Sequence, residues 1–169
     1  MKGVISGAPG MSLSDLPSSF NLLIGNNGGC LGEVSALALL LGLAYMLWKK
    51  IITWHIPVSI LATVFVFSGI MYWVNPEIYV SPVVQLLSGG LMLGAVFMAT
   101  DYVTSPITPK GQILYGILLG ILTGLFRIFG ANAEGVSFAI ILSNLLVPMI
   151  ERITIPKAFG QVKEAKQHE

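Results

Sequence analysis

Between Glu33 and Glu151 the chain offers five apolar runs, near 33–49, 56–74, 83–100, 111–130 and 135–151, with only short polar turns between them. About 20 apolar residues in a helix cross the hydrocarbon core of a bilayer, and there each helix must satisfy its own backbone. Such runs in series predict an all-α, polytopic membrane helix bundle of about five transmembrane helices. The first and last runs are short for the task, so Gly-rich flanks or burial against neighbours must accommodate them. Composition agrees: 10% of residues are charged and 54% apolar, where soluble domains carry roughly 25% charged residues. The chain divides into a polar, Gly-rich segment over 1–32, a five-span membrane domain over 33–151 and a tail over 152–169.

Charge and ligand chemistry exclude several classes. A net charge of +1 gives no clustered basic face for nucleic acid. Cys30 stands alone, so no internal disulfide forms, and neither a cysteine-ligated zinc nor an iron–sulfur cluster can be built within the chain. His55 and His168 are too few for a metal cluster, and no metal site is expected. The start of the chain lacks the basic-then-apolar pattern of a signal peptide. Lys49, Lys50 and Lys110, with Arg152, Lys157, Lys163 and Lys166 of the tail, fall on one side of the bundle, and the positive-inside rule makes that side cytoplasmic. Five spans then put the amino-terminus outside, with Lys2, Asp15, Glu77 and Glu134. Arg127 runs against the rule, and is expected to snorkel outward or to pair with Glu134 across the Phe129-Gly130 turn.

The stretch from Ser88 to Gly111, SGGLMLGAVFMATDYVTSPITPKG, carries the clearest polar signal. An uncharged run ends in Asp101, Thr104 and Ser105, and Pro106 and Pro109 stiffen the connection to the next run. A carboxylate at the end of an apolar run needs a partner or shifts toward its neutral form. Asp101 is therefore either an interfacial cap closing a turn with Thr104 and Ser105, or a working group. Gly116, Gly120 and Gly124, like Gly90 and Gly94, repeat at four-residue spacing, which lets helix backbones approach closely. Packing is the first reading of these stripes, and a flat surface for a planar ring is the second. Met92, Met98 and Trp73 read as core or interface residues. Upstream, Gly25-Asn26-Asn27-Gly28-Gly29-Cys30-Leu31-Gly32-Glu33 breaks any continuous helix, and such backbone at membrane depth must be buried or line a cavity. Its amides could receive a polar or anionic ligand, and Glu33 is placed to cap the next helix.

The run from Gly25 through Glu33 to Val34-Ser35-Ala36 resembles the GN-x-GG-x-LGE-x-SA segment of the D subunit of the Rnf ion-translocating ferredoxin:NAD oxidoreductases. Trp54-His55-Ile56-Pro57, Leu86 through Lys110, Arg127-Ile128-Phe129-Gly130 and Glu134-Gly135-Val136-Ser137-Phe138-Ala139 match in the same order. The homologous B subunit of the sodium-pumping NADH:quinone reductases is the alternative assignment. Tyr102 stands where many relatives have proline. The resemblance implies half of a urea-transporter-like fold with a broken Gly-rich leading segment. It implies a membrane subunit of a flavin-containing complex that couples ferredoxin/NAD redox chemistry to sodium or proton translocation. The other Rnf subunits and the lipid bilayer are the implied partners, in the inner membrane of a bacterium or archaeon. FMN is the implied cofactor, with riboflavin as the alternative, and the family links FMN to a threonine in a Ser-Gly-Ala-Thr-like motif. Here Ser6-Gly7-Ala8 is followed by Pro9, which has no hydroxyl. The expectation is a carboxy-terminal half with the attachment threonine upstream of Met1 and no covalent flavin on this chain.

On that reading Gly28, Gly29 and Glu33 contribute to the flavin pocket, and no catalytic residue is expected here. Asp101, Thr104 and Asn144, with Glu33, are the candidates for ion coupling, because a reduced flavin adds negative charge and favours cation or proton uptake by a nearby carboxylate. From the residues alone, a passive solute channel or transporter and a fragment without activity of its own stay open.

Overall fold

The computed structural model describes residues 19–25, 35–76, 79, 81–88, 90–129 and 135–156, and every regular element among them is helical. A short helix α1 (Ser19–Ile24) ends at Gly25, whose N–H donates to the Asn21 carbonyl at 2.8 Å. Gly25 has φ +97°, a left-handed conformation that glycine adopts at little cost. A Cβ there would also stand 3.1 Å from Ser35, so the chain before and after residues 26–34 lies backbone to backbone. Ser35 starts α2 (Ala36–Trp48) as its N-cap, with Oγ accepting the Ala38 N–H at 3.3 Å. Gly28, Gly29 and Glu33 lie outside the described residues.

The long helices are α3 (His55–Val74), α6 (Pro109–Phe129) and α7 (Gly135–Thr154), each long and apolar enough to cross a membrane. With 13 residues, α2 is shorter. The run expected over 83–100 is not one helix. It forms α4 (Pro82–Leu87), a break at Ser88 to Gly90, a single turn α5 (Leu91–Leu93) and a π-helical turn π1 (Gly94–Met98). Hydropathy is blind to this break, because both halves are apolar. The molecule is a multi-pass helical membrane bundle, and its exposed apolar side chains, such as Trp73, Val66, Leu145 and Met149, make a lipid-facing surface.

Small residues set the packing, as they must where lipid offers helices no hydrophobic drive to associate. A Cβ on Gly116 would overlap Ser59, one on Gly120 would lie 2.6 Å from Thr63 Cβ, and one on Gly124 would lie 2.5 Å from the Phe67 ring. Positions 59, 63 and 67 thus step along α3 in the same direction as 116, 120 and 124 along α6, so the two helices run parallel. The glycine stripe is a helix–helix seam, as its first reading holds. Gly94 does the same for Val136 of α7, and Gly42 of α2 receives the tip of the Phe97 ring. Around these seams lies one core of Ile56, Ile60, Val64, Leu91, Ala95, Tyr115, Leu119, Val136 and Ile140, with Val147 and Ile150 toward one end.

That end gathers the lysines. The Thr53 hydroxyl donates to Gln112 Oε1 at 2.9 Å, joining the Lys49–Thr53 turn to the start of α6. The Ile107 N–H donates to Glu151 Oε1 at 3.3 Å, tying the 101–108 turn to the end of α7. Lys49, Lys50, Lys110 and Arg152 therefore share one end of the bundle, while Ser35 and Gly25 sit at the other end of α2.

Candidate functional site

Among the described residues two polar regions interrupt the apolar bundle, one at the lysine-bearing end and one at the helix break. At the first, π1 delivers the chain to Thr100, whose hydroxyl donates back to the Val96 carbonyl at 2.7 Å, and then to Asp101. A π turn widens the helix by a residue and recurs at functional positions. Asp101 is exposed, and it organises the turn that begins with it. Its Oδ2 accepts the Thr104 hydroxyl at 3.2 Å and its carbonyl accepts the Ser105 N–H at 3.3 Å. The structure thus brings two of the candidates, Asp101 and Thr104, into direct contact.

The third candidate, Asn144, is half-buried on α7 and accepts a hydrogen bond from the Tyr115 hydroxyl at 2.6 Å. Tyr115 itself is 1% exposed, and its phenol lies within electrostatic reach of the Asp101 carboxylate. Tyr115 therefore holds Asn144 across the α6–α7 contact, while Asp101 is bonded to Thr104. Sequence reasoning passes over Tyr115, because a tyrosine in a Gly-rich apolar helix has the look of core, and only the pairing of α6 with α7 reveals its partner. Beside Asn144, the Ser143 hydroxyl is fully buried and has no hydrogen-bond partner among the described residues.

The second region is the break after α4. The guanidinium of Arg127, near the end of α6, donates from one nitrogen to the Gln85 carbonyl at 2.5 Å and from the other to the Ser88 carbonyl at 2.8 Å. The last carbonyls of a helix have no partner within it and carry the negative end of its dipole, so a cation there is doubly suited. Gln85 and Ser88 are both buried. Arg127 thereby closes an interruption that would otherwise expose backbone oxygens to hydrocarbon. Its expected partner Glu134 lies outside the described residues, and the carbonyls it does hold carry no side-chain signature for a sequence to reveal. Thr123, one turn earlier on α6, is fully buried with its hydroxyl unpartnered among the described residues.

An open groove of about 540 Å³ runs between α3 and α6, lined by Ser59, Ala62, Thr63, Val66, Phe67 and α6 isoleucines. Its two hydroxyls are committed to their own helix, Ser59 to the Ile56 carbonyl at 3.0 Å and Thr63 to the Ser59 carbonyl at 2.7 Å. With their protons spent there, the two hydroxyls offer a ligand only acceptor oxygens, and the groove supplies no donor for a phosphate. The residues expected to approach a flavin, Gly28, Gly29 and Glu33, are outside the described set. No group of His, Cys, Asp and Glu among the described residues could hold a metal ion.

Residues 3–160 match the NQR2, RnfD, RnfE family. The chain belongs to this family. It is 45% identical over 154 residues to the D subunit of the Na(+)-translocating ferredoxin:NAD(+) oxidoreductase complex of Acetobacterium woodii, covering 90% of this chain and 46% of that one. It is 42% identical over 143 residues to the D subunit of the proton-translocating ferredoxin:NAD(+) oxidoreductase complex of Clostridium ljungdahlii, covering 82% and 42%. The D subunit of the ion-translocating oxidoreductase complex of Sodalis glossinidius is 43% identical over 121 residues, covering 72% and 35%. The chain thus spans less than half the length of these relatives.

Proposed function

We propose that this chain forms part of a membrane subunit of an ion-translocating ferredoxin:NAD oxidoreductase, and that its Asp101 turn couples ion movement to electron transfer. The observation that carries the reading is the family match over residues 3–160 together with relatives named for sodium- and proton-translocating versions of that complex. The Asp101–Thr104 contact at the lysine-bearing end, with the Tyr115–Asn144 hydrogen bond deeper in the bundle, supports the placement of coupling at that end. On this reading that end is cytoplasmic in an inner membrane, the other subunits of the complex are the partners, and the complex is a translocase. FMN serves the complex as an electron carrier, with the Gly28-Gly29 and Glu33 segment near it. On this reading the described residues pack the bundle and hold polar groups in its interior.

The test is Asp101→Asn in the complete subunit within its complex, which removes the charge and nearly preserves the shape. In membrane vesicles, bound flavin should be unchanged. Ferredoxin-dependent NAD reduction should lose its response to an imposed ion gradient. A response equal to that of the unsubstituted complex would reduce Asp101 to the cap of a turn.

A further inference from the structure

We infer that the Tyr115–Asn144 hydrogen bond is a latch on a small-cation site, in which Asn144 Oδ1 is the ligand and Tyr115 is the positioning residue that occupies it at rest. The inference rests on the coupling role proposed for Asp101 and adds to it the group that accepts the ion next.

In this bundle the helical hydroxyls generally turn back on their own helices: Ser59, Thr63, Ser68, Thr100 and Thr154 each donate to a carbonyl three or four residues earlier, at 2.6 to 3.0 Å. Tyr115 is built differently. Its hydroxyl crosses from α6 to α7 and takes the side-chain oxygen of Asn144 at 2.6 Å, short for a bond between neutral groups. Tyr115 lies six residues beyond Pro109, so its Cα sits about 9 Å along α6 from the lysine-bearing end at 1.5 Å per residue. Asp101 stands outside it, exposed and within electrostatic reach of the phenol. Ser143 lies next to Asn144 in the chain, fully buried with an oxygen that nothing described engages. An acid at the surface and a neutral amide oxygen within are hard oxygen donors of the kind a dehydrating alkali cation takes, and the unpartnered Ser143 hydroxyl marks a second polar group buried on the same turn of α7. Packing alone does not require such a set.

The latch arises because one oxygen has two suitors. While the phenol donates to Asn144 Oδ1, the strongest acceptor direction of that amide is used, and a cation arriving from Asp101 meets a proton. Release of the hydroxyl exposes Oδ1 to the cation. No bond is formed or broken covalently, and no proton leaves the protein. The apparent affinity for the cation is the intrinsic one reduced by the fraction of time the latch is open. Removing the hydroxyl should therefore tighten cation binding rather than weaken it, which is the opposite of what a purely structural hydrogen bond would do.

The experiment uses the complete subunit in its purified complex, with sodium chloride as the probe and choline or potassium chloride holding ionic strength constant. The half-saturating sodium concentration for electron transfer is read for Tyr115→Phe, Asn144→Leu and Asn144→Asp, with flavin content and thermal midpoint as controls. Tyr115→Phe should lower that concentration about three- to tenfold, the range set by losing one neutral hydrogen bond. Asn144→Asp, which keeps an oxygen in place and adds charge, should lower it as well. Asn144→Leu should raise it or abolish the sodium response. An unchanged or raised value in Tyr115→Phe, or an equal effect of potassium, overturns the latch. If Tyr115→Phe fails to assemble, Asn144→Asp decides, and a raised or unchanged value there overturns it. These outcomes are separate from the Asp101→Asn test. Gradient coupling lost in Asp101→Asn with no sodium shift in Tyr115→Phe removes the latch and keeps the coupling turn. The converse removes the role of Asp101 and keeps the Asn144 site.

Discussion

The two faces of α6 obey different rules. Toward α3 it presents Gly116, Gly120 and Gly124, the hydroxyls opposite are closed on their own helix, and nothing polar is left over. Toward α7 and the interrupted helix it presents Tyr115, Thr123 and Arg127, which reach across to other elements or reach nothing described. The first face is a seam that gains from being fixed. The second carries polar groups inside a membrane bundle, where each unsatisfied one costs free energy and persists for a reason other than packing. One helix thus serves as both the rigid wall and the polar lining, and substitutions on the two faces should fail in different ways.

The largest effect is expected on the seam. At Gly120 a Cβ would meet Thr63 Cβ at 2.6 Å and the Ile60 carbonyl at 3.2 Å, and backbone cannot swing aside. Gly120→Leu should therefore cost at least the upper end of the about 1–3 kcal/mol typical of overpacking, seen as a lowered thermal midpoint in detergent or as failure to assemble. Gly124→Ala is the milder control, since its obstacle is the Phe67 ring, a side chain that can rotate. Equal stability of Gly120→Leu and the unsubstituted chain would mean that α3 and α6 do not meet as described.

An intermediate effect belongs to Arg127. Replacing it with methionine keeps the stem, leaves the buried Ser88 carbonyl without its guanidinium donor and leaves the Gln85 carbonyl only the long 3.4 Å bond from the Ser88 hydroxyl, an expected cost of about 1–3 kcal/mol. Amide exchange should rise locally around residues 85 to 91, ahead of any global loss. Arg127→Lys should recover only part, because an ammonium lacks the planar fork that spans two carbonyls. If exchange at the break stays as slow in Arg127→Met as before, the guanidinium is not what closes it.

The seam was far more legible in the sequence than the lining. Glycines at four-residue spacing announce close helix packing, and runs of apolar residues announce α3, α6 and α7, because periodicity and length are local properties of a chain. Asp101 and Thr104 were also readable, as an acid and a hydroxyl three residues apart in a turn. The break at Ser88 to Gly90 had a signal in its paired glycines, yet hydropathy alone joins α4 to π1 into one span. Arg127 binds backbone carbonyls, and Tyr115 finds Asn144 only through the register of two antiparallel helices. Neither relation is written in the residues near it. The functional reading came largely from resemblance, and the family match supports it, whereas the roles expected of Gly28, Gly29 and Glu33 rest on residues beyond those described.

The smallest effect, and the finest test of the contrast, is at Thr123. Its side chain is fully buried, its hydroxyl has no partner among the described residues, and it does not make the bond to the preceding turn that Thr63 makes on the facing helix. Valine has nearly the same shape without the oxygen. On the lining, Thr123→Val should raise the thermal midpoint slightly, by an amount corresponding to up to about 1 kcal/mol, since it removes a buried polar group that is not being satisfied. Thr63→Val on the seam should instead be neutral or slightly harmful, because there the lost hydroxyl was already bonded to the Ser59 carbonyl. The difference between the two substitutions matters more than either value, as both remove one hydroxyl from a membrane helix. If Thr123→Val is the more destabilising of the pair, then the Thr123 hydroxyl holds a water or an ion in the folded bundle, and the lining next to the Arg127 clamp is solvated rather than dry.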